Sequence, residues 1–327
     1  MRYGVARNDD WIEVVVQDAV RETSDVVVLE LSKAGGGALP RWSPGAHVAV
    51  RCGEDTIRHY SLCGPAEHED RYRLGIKLEA GSRGGSRWLA ENALPGATLA
   101  ISAPRDRFPL LLGKPRYCFI SGGIGMTPIL AMLRRLREEG VEARWVHLCR
   151  SPQELAFRDC IADLASFHGV HVHHDSIAGG LFDLKGELQR IAPDAEVYCC
   201  GPAPVMEAVR DFARQIGQEE RFHFEFFSAS DIADEDTTPI DFVVVQHSTG
   251  REIRVGESDT MLGALRRAGI QMPSECEYGV CGHCATGVVS GIPAHHDSYL
   301  TEAERASNKI VMPCVSRCQG DRIELEI

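Results

Sequence analysis

The sequence lacks the features that would take a protein into a membrane or onto nucleic acid. Its apolar runs, such as Val26 to Leu29 and Phe242 to Val245, are only as long as a strand, whereas a membrane span needs roughly 18 consecutive apolar residues. Basic residues are outnumbered, with 35 Lys and Arg against 47 Asp and Glu and a formal net charge of −12. An acidic surface disfavours nucleic acids and anionic membranes. We therefore expect neither as a partner.

A secretory signal is not visible either. The first residues hold no apolar segment followed by a small-residue cleavage site, so a cytoplasmic location is expected. The chain has 12 cysteines, and in such a protein those outside a recognisable pattern are expected to be buried thiols rather than disulfides. Eight cysteines fall in that class: Cys52, Cys63, Cys118, Cys149, Cys160, Cys199, Cys200 and Cys318.

Three regions of different texture follow one another in the 327 residues, a length that suits two or three domains. Short apolar runs separated by Gly, Pro and Ser clusters predict a small antiparallel β-barrel over 1–111. Strand patterns then alternate with helix patterns, including a helix from Glu154 to Phe167, and predict an α/β domain with a parallel sheet over 112–228. The acidic segment 229–239 is typical of a linker. A hairpin pattern, a helix and a cysteine-rich loop make up a third domain over 240–327.

The strongest motif lies in that third domain and consists of four cysteines with the spacing C-x4-C-x2-C, then 29 further residues and a last cysteine. The predicted ligands are Cys276, Cys281, Cys284 and Cys314. This is the spacing of plant-type ferredoxins, whose four thiolates hold a [2Fe–2S] cluster; the resemblance implies a β-grasp fold. Gly279 and Gly282 would let the backbone approach the sulfurs. A zinc site is the alternative, but zinc hooks usually pair cysteines two residues apart.

A glycine-rich turn, SGGIGMTP over residues 121–128, follows a buried strand pattern in the middle of the chain. Glycines keep such a turn tight and let a pyrophosphate approach the backbone, while a helix N-terminus supplies N–H groups and positive partial charge. Thr127 is predicted to cap the helix and Pro128 to be its first residue. The predicted contacts to a dinucleotide are Gly122, Gly123, Gly125, Thr127 and Pro128.

The pattern GG-x-G-x-TP resembles the nicotinamide-binding turn of the ferredoxin–NADP reductase superfamily, in which a later strand ends in C-G-P. Here Cys200, Gly201 and Pro202 close the corresponding strand pattern. The resemblance implies that these residues bind the nicotinamide end of the nucleotide, with Cys200 near the ring. A structural strand–turn–helix without a ligand is the alternative, which the two motifs together disfavour.

Two flavin motifs of the same superfamily lie in the barrel region. One resembles R-x-Y-S-L and consists of Arg58, His59, Tyr60, Ser61 and Leu62. An arginine can hold a phosphate, an aromatic ring can stack on the flavin, and a hydroxyl can bond its N5 region. The other is a glycine-rich turn that opens a predicted helix and can cradle a phosphate. Its residues are Arg83, Gly84, Gly85 and Ser86.

The R-G-G-S turn narrows the resemblance to the phthalate dioxygenase reductase family, which the chain matches along its length in the order flavin barrel, nicotinamide domain, ferredoxin. The resemblance implies FMN, with Arg58 and Arg83 at its phosphate and Tyr60 and Ser61 at its ring. FMN is favoured over FAD because no segment can be assigned to an adenine half. An aromatic residue near the flavin is also implied and is assigned to Phe227, with its aromatic neighbours as alternatives.

The activity that this resemblance implies is that of a reductase component. A hydride passes from NADH to FMN, and electrons leave singly through the cluster to the oxygenase component of a Rieske-type oxygenase or demethylase system. Ser61, Cys200 and Phe227 are the implied catalytic residues. The partner is expected to dock near the ferredoxin domain, and the family favours a monomer. NADPH stays open, because Arg150 and Ser151 could reach a 2′-phosphate.

Two other functions remain open. The chain could serve a haem monooxygenase instead of a Rieske-type enzyme. It could also be a ferredoxin-like electron carrier whose front half is purely structural. The intact flavin and nicotinamide motifs disfavour the carrier, and reduction of a dye by NAD(P)H would distinguish the two classes.

Overall fold

A computed structural model describes residues 11–53, 56–68, 70–78, 84–106, 108–227, 241–257, 259–274, 279, 282–297, 299–300 and 302–327. The chain divides into two compact units, one that ends at Glu225 and one that begins at Phe226 and runs to Ile327. The predicted linker, 229–239, lies outside the described residues, and the predicted boundaries of the three domains stay predictions. Among the helices in the described ranges, none has both the length and the apolar character needed to cross a bilayer.

The first unit begins with an antiparallel sheet. Its strands are β1 Trp11–Arg21, β2 Val26–Lys33, β3 Ala46–Arg51, β4 Ile57–Ser61, β5 Tyr72–Lys77, β6 Thr98–Ser102 and β7 Arg105–Asp106, with helix α1 Gly85–Asn92 between β5 and β6. The strand order is β4-β3-β6-β1-β2-β5, and β7 pairs with β3. A bridge between Leu62 and Leu74 joins the two ends of this order. The sheet therefore closes on itself as the predicted barrel.

Alternation of side chains along the strands fills the inside of this barrel. In β5, for example, Tyr72, Leu74 and Ile76 are fully buried in one core cluster with residues of every neighbouring strand. Arg73, Gly75 and Lys77 lie on the other face of the same strand. Residues on the connections of the second sheet of this unit pack against that outer face at Gly75.

The second sheet of the first unit is parallel and carries helices on its connections. It consists of β8 Arg116–Gly122, β9 Arg144–Cys149, β10 Gly169–His174, β11 Ala195–Cys200 and β12 Phe222–Phe224, in the order β10-β9-β8-β11-β12. The helices are α2 Met126–Glu138, α3 Arg158–Ala165, α4 Asp175–Ala178, α5 Leu184–Gln189 and α6 Ala203–Ile216. All six residues of the central strand β11 are buried, as expected for a parallel strand covered on both faces.

In its described residues, the second unit combines a small mixed sheet with two helices. Its strands are β13 Phe242–Gln246, β14 Glu252–Val255, β15 Thr286–Ser290, β16 Pro293–Ala294, β17 Ile310–Val311, β18 Arg317–Cys318 and β19 Arg322–Leu325, and its helices are α7 Met261–Arg267 and α8 Glu302–Ser307. The main sheet has the order β14-β13-β19-β15-β17. Thr260 caps α7, since its hydroxyl accepts the N–H of Gly263 at 3.0 Å. Hairpin, helix and returning strands confirm the predicted β-grasp arrangement.

Candidate functional site

Strand β4 and helix α1 bring the two predicted flavin motifs together in the barrel. Arg58 lies on β4, and a Cβ built on Gly85, the first residue of α1, would stand only 2.7 Å from Arg58 Cγ. Gly84, just before the helix, has a φ of 97°, which favours glycine. A guanidinium beside a helix N-terminus fits an anionic phosphate. Arg83 lies outside the described residues, so its predicted role stays untested.

The remaining residues of the R-x-Y-S-L motif follow Arg58 along the same strand. His59 and Tyr60 are half-buried, whereas the Ser61 side chain is buried. Leu62, the last residue of the motif, is fully buried and anchors it in the barrel core. A strand that carries a guanidinium, a ring and a hydroxyl in this order offers the three kinds of contact that a flavin phosphate and ring require.

Ser61 has a charged neighbour that the sequence motifs did not single out. Its Oγ donates a hydrogen bond to Oε2 of Glu225 at 3.1 Å, although the two residues are 164 positions apart. Burial raises the pKa of Glu225 to about 8; the Ser61 hydrogen bond opposes this effect, and the negative charge of Asp106 adds to it. At neutral pH this carboxyl therefore holds its proton beside the serine of the flavin motif.

The two nicotinamide motifs meet at the carboxyl ends of β8 and β11. A Cβ on Gly125 would stand 2.2 Å from the carbonyl oxygen of Cys200, and one on Gly122 would stand 2.5 Å from Cδ of Pro202. A Cβ on Gly201 would likewise stand 2.8 Å from the backbone nitrogen of Gly122. Only glycine fits at these three positions. The close packing presents the backbone of both motifs at one edge of the sheet, where α/β folds bind nucleotides.

The start of the helix behind this turn differs from the prediction. Helix α2 begins at Met126 with Gly125 as its N-cap, and a single turn of 3₁₀-helix at Gly123–Gly125 precedes it. Thr127 therefore lies inside the helix instead of capping it, and its hydroxyl donates to the carbonyl of Ile124 at 3.0 Å. Pro128 is the third helical residue, where its missing N–H costs nothing. The predicted helix is confirmed, but its predicted cap was wrong.

In the second unit, the two described cysteines of the ferredoxin pattern lie side by side. The sulfurs of Cys284 and Cys314 are 3.1 Å apart, longer than the about 2.05 Å of a disulfide bond. Both side chains are buried in an apolar cluster that includes Leu262, Leu300 and Met312. Two sulfurs that converge from distant segments in a dry surrounding fit the [2Fe–2S] pattern. Cys276 and Cys281 lie outside the described residues.

The loop around these sulfurs uses glycine where the chain bends. Gly279 has a φ of 73° and Gly282 a φ of 71°, in the left-handed region that other residues avoid. A Cβ on Gly282 would stand 2.2 Å from the ring of Tyr299, so this aromatic residue packs directly on the loop. The positive φ values and the close ring explain both glycines and support the predicted wrapping loop.

The last predicted catalytic residue, Phe227, belongs to the second unit and is half-buried. Its role beside a flavin stays a prediction. In the segment HFEFF, 223–227, an aromatic residue was the predicted neighbour of the flavin, whereas a role for the carboxylate of Glu225 was not predicted. A glutamate enclosed by four aromatic residues was the available signal for Glu225, because a charged residue in such a setting is rarely placed without a partner.

Comparison with known proteins agrees with this layout. A family model described as "2Fe-2S iron-sulfur cluster binding domain" matches residues 244–319. Vanillate O-demethylase oxidoreductase of Pseudomonas putida is 36% identical over 97% of this chain and 100% of its own length. Phthalate dioxygenase reductase of Burkholderia cepacia is 31% identical over 98% of this chain and 99% of its own.

Solved structures give the same picture. The structure of a phthalate dioxygenase reductase superposes with a TM-score of 0.77 and 30% identity, over 99% of this chain and 100% of its own. An intact type IV self-sufficient cytochrome P450 monooxygenase has a TM-score of 0.77 and 32% identity over the whole chain. The chain spans 43% of that monooxygenase and 53% of another relative, oxidoreductase NdmD of Pseudomonas putida (36% identical over 96% of the chain).

Full-length likeness in sequence and in fold thus joins the barrel, the parallel sheet and the cysteine loop in one known order. The pair Arg58 and Gly85 fits a flavin, and the packed glycines of the turn over 121–128 fit a pyridine nucleotide. The adjacent sulfurs of Cys284 and Cys314 fit a [2Fe–2S] cluster. The chain belongs to the phthalate dioxygenase reductase family of NAD(P)H-dependent flavin iron–sulfur oxidoreductases.

Proposed function

We propose that this chain is the reductase component of a Rieske-type oxygenase or demethylase system and draws its electrons from NADH. One observation carries the proposal: the chain matches phthalate dioxygenase reductase and vanillate O-demethylase oxidoreductase over 97–100% of both lengths. When bound, the flavin takes up a hydride from the nicotinamide and returns electrons one at a time through the cluster, so the redox chemistry belongs to the cofactors. The protein supplies binding, orientation and proton placement.

FMN is the flavin that we propose. Its phosphate would be held by Arg58 and by the N–H groups at the start of α1, with Arg83 as a further candidate. Tyr60 supplies a ring that can stack on the flavin, and Ser61 a hydroxyl that can bond it. A strand and an eight-residue helix account for a single phosphate and a ring, which is what FMN requires.

We assign to Glu225 and Ser61 the task of holding a proton beside the flavin. A carboxyl with a pKa of about 8 is protonated at neutral pH, and its hydrogen bond to Ser61 connects it to the flavin motif. The pair can hold a proton near the ring and release it as the charge there changes. This role needs no other acid or base of the chain.

NADH is favoured over NADPH by the charges at the ends of β9 and β10. The guanidinium of Arg158 donates to the carbonyl of Leu155 at 3.1 Å and to that of Pro152, so it is already engaged by the backbone. Besides burial, the negative charges of Glu154 and Asp175 raise the pKa of Cys149, to about 11, at this edge. Two carboxylates there oppose the 2′-phosphate that NADPH adds. Arg150 is a cation nearby that favours NADPH. A kcat/KM tenfold higher with NADPH than with NADH would overturn the assignment to NADH.

An anaerobic titration tests the electron route. The purified, iron-replete protein should carry flavin and iron–sulfur absorption bands, and NADH added stepwise to an excess should bleach both. Bands that are present but do not bleach would contradict the hydride route. A folded protein with neither chromophore would contradict the whole proposal and return the cysteines to zinc or to packing.

A second partner class has one specific observation in its favour. The whole chain matches part of a self-sufficient cytochrome P450 monooxygenase at 32% identity. Electron delivery to an isolated Rieske oxygenase component and to an isolated P450 haem domain, each under NADH and without oxygen, separates the two candidates. We expect fast reduction of the Rieske centre. Exclusive reduction of the haem would favour the second class, and reduction of neither a dye nor a protein by NADH would favour a plain electron carrier.

A further inference from the structure

Gly75 lies in the middle of β5, on the outer face of the barrel strand whose inner face holds Leu74 and Ile76. It is buried although it points away from the barrel core, because the nucleotide turn of the parallel sheet covers it. A Cβ built on Gly75 would stand 2.8 Å from Cγ2 of Thr127 and 3.2 Å from Cδ1 of Ile124. Both of these residues belong to the turn and first helical residues at the nucleotide edge.

Glycine at this position is explained by space and not by backbone conformation. The positive-φ glycines of the described chain do not include Gly75, so an alanine would adopt the same φ without strain. A contact of 2.8 Å is too short for a real Cβ. Because protein interiors are closely packed, the atoms around Gly75 can make room for a Cβ only by moving. A side chain at Gly75 therefore requires the side chains of Thr127, Ile124 and Phe157, or the turn that carries the first two, to move away from the barrel.

A strained residue closes the same contact from the other side. Phe157 has a φ of 56°, in the left-handed region that strains a bulky residue. Its ring is buried, with Cζ 3.0 Å from the position of a Cβ on Gly75. Its backbone N–H donates to Oε2 of Glu22, which directly follows β1. The strain persists because the barrel holds this residue by ring and by backbone at once.

Two arginine contacts cross the same junction. The guanidinium of Arg134, on α2, donates to the carbonyl of Cys63 in the barrel. The guanidinium of Arg73, on β5, approaches the sulfur of Cys160, on α3, at 3.8 Å. With the Glu22 contact, they pull the two sheets together around Gly75. We call this group of contacts the Gly75 junction.

We propose that Gly75 is a positioning residue for hydride transfer: its missing side chain lets the nucleotide turn rest directly on the outer face of the flavin barrel and so fixes how closely the nicotinamide approaches the flavin. The inference rests on the proposed function, since it concerns the step from NADH to flavin. Hydride transfer depends steeply on the separation of the reacting atoms, whereas binding of the nucleotide's phosphates depends on the turn alone. A displaced turn should therefore still bind nucleotide while transferring the hydride slowly.

The test compares Gly75→Ala with Gly169→Ala in the cofactor-loaded, full-length protein. Gly169 is a matched control because it also lacks a positive φ, belongs to the same unit, and would place a Cβ at an ordinary 3.7 Å from its nearest atom. Rapid anaerobic mixing gives the rate of flavin reduction at saturating NADH, and titration of the oxidised protein with NAD⁺ gives a dissociation constant. Amide hydrogen exchange of residues 122–127 without nucleotide reports on the turn itself.

For Gly75→Ala we expect a rate of flavin reduction about 10- to 100-fold lower, with an NAD⁺ dissociation constant within about threefold of the parent. A larger isotope effect with NADH deuterated at the transferred position, and faster amide exchange over 122–127, should accompany the slower rate. Gly169→Ala should leave all four quantities unchanged.

A second substitution, combined with Gly75→Ala, keeps the test decisive if Gly75→Ala alone folds poorly. Thr127→Ser removes the methyl group nearest to Gly75 and keeps the hydroxyl that bonds Ile124. On this background Gly75→Ala should cost much less in rate than on the parent, which is non-additivity between residues in contact. An unchanged rate, or equal losses in rate and affinity that Thr127→Ser does not relieve, overturns the inference. A parent protein whose flavin NADH does not reduce overturns the proposed function instead.

Discussion

Replacing Glu225 with glutamine is expected to abolish a titration near pH 8, which the raised pKa of this carboxyl predicts for the folded protein. The ordinary pKa of a glutamate is 4.5, and burial raises that of Glu225 to about 8. Between these two values the folded protein keeps a proton that the unfolded chain has lost. Stability therefore falls as the pH rises from 4.5 to about 8, and this contribution is fully favourable only below 4.5. Glu225→Gln, which cannot ionise, should remove the fall.

The size of the effect follows from the two pKa values. A difference of this extent corresponds to about 5 kcal/mol at roughly 1.4 kcal/mol per pH unit, and contact with solvent reduces it to about 2–3 kcal/mol. Relative to the parent, the variant should therefore gain stability of this order when the pH rises from about 5 to about 9. A gain of zero is incompatible with a raised pKa.

Two measurements check this prediction on the cofactor-loaded protein. Infrared difference spectroscopy follows the carbonyl band of a protonated carboxyl through the pH range, and thermal unfolding follows stability at each pH. Asp106→Asn is the matched control, because it keeps Glu225 and removes a negative charge that raises its pKa, so the midpoint should move down. A parent midpoint below about pH 6, or a band that survives Glu225→Gln, would refute the reasoning.

Three further changes have defined outcomes. Cys284→Ser should lose the visible cluster absorption and electron delivery to one-electron acceptors, while NADH still reduces the flavin. The control Cys318→Ser should keep the cluster absorption and the electron delivery. Loss of flavin reduction in Cys284→Ser would mean that flavin reduction depends on the cluster-binding unit. Gly85→Val should weaken flavin binding to the apoprotein by about tenfold or more, because its side chain would collide with Arg58; an unchanged affinity would remove this arginine from the site. Gly125→Ala should raise the NADH dissociation constant by a similar factor, since its Cβ would stand 2.2 Å from a carbonyl oxygen of β11; normal affinity in equilibrium titration would contradict the proposed nucleotide edge.

The architecture was predictable because its signals are local. Alternating apolar runs predicted the barrel and the cysteine spacing predicted the ferredoxin-like unit. Each depends on residues close together in the sequence, where side-chain periodicity and turn chemistry act directly. The parallel sheet followed from the alternation of strand and helix, whereas its strand order was not predicted.

Long-range contacts decided what the sequence could not. The helix expected from Glu154 to Phe167 is interrupted: a 3₁₀ turn covers Pro152–Glu154, Phe157 adopts a left-handed conformation, and the α-helix runs only over Arg158–Ala165. The cause is the contact of Phe157 with Glu22 and Gly75, which no local propensity encodes. Glu225 escaped notice for the same reason, because its partner Ser61 is 164 residues away.

The packed glycines at the nucleotide edge divide the site into a part that can vary and a part that cannot. A Cβ on Gly122, Gly125 or Gly201 would stand within 3 Å of backbone or proline atoms, so we expect no substitution there to retune coenzyme choice without displacing a strand end. We expect a change of coenzyme to come instead from Arg150, which directly follows β9, and Asp175, which directly follows β10 and begins α4. A laboratory search for variants that prefer NADPH can therefore leave the glycine-rich turn alone and randomise those two positions.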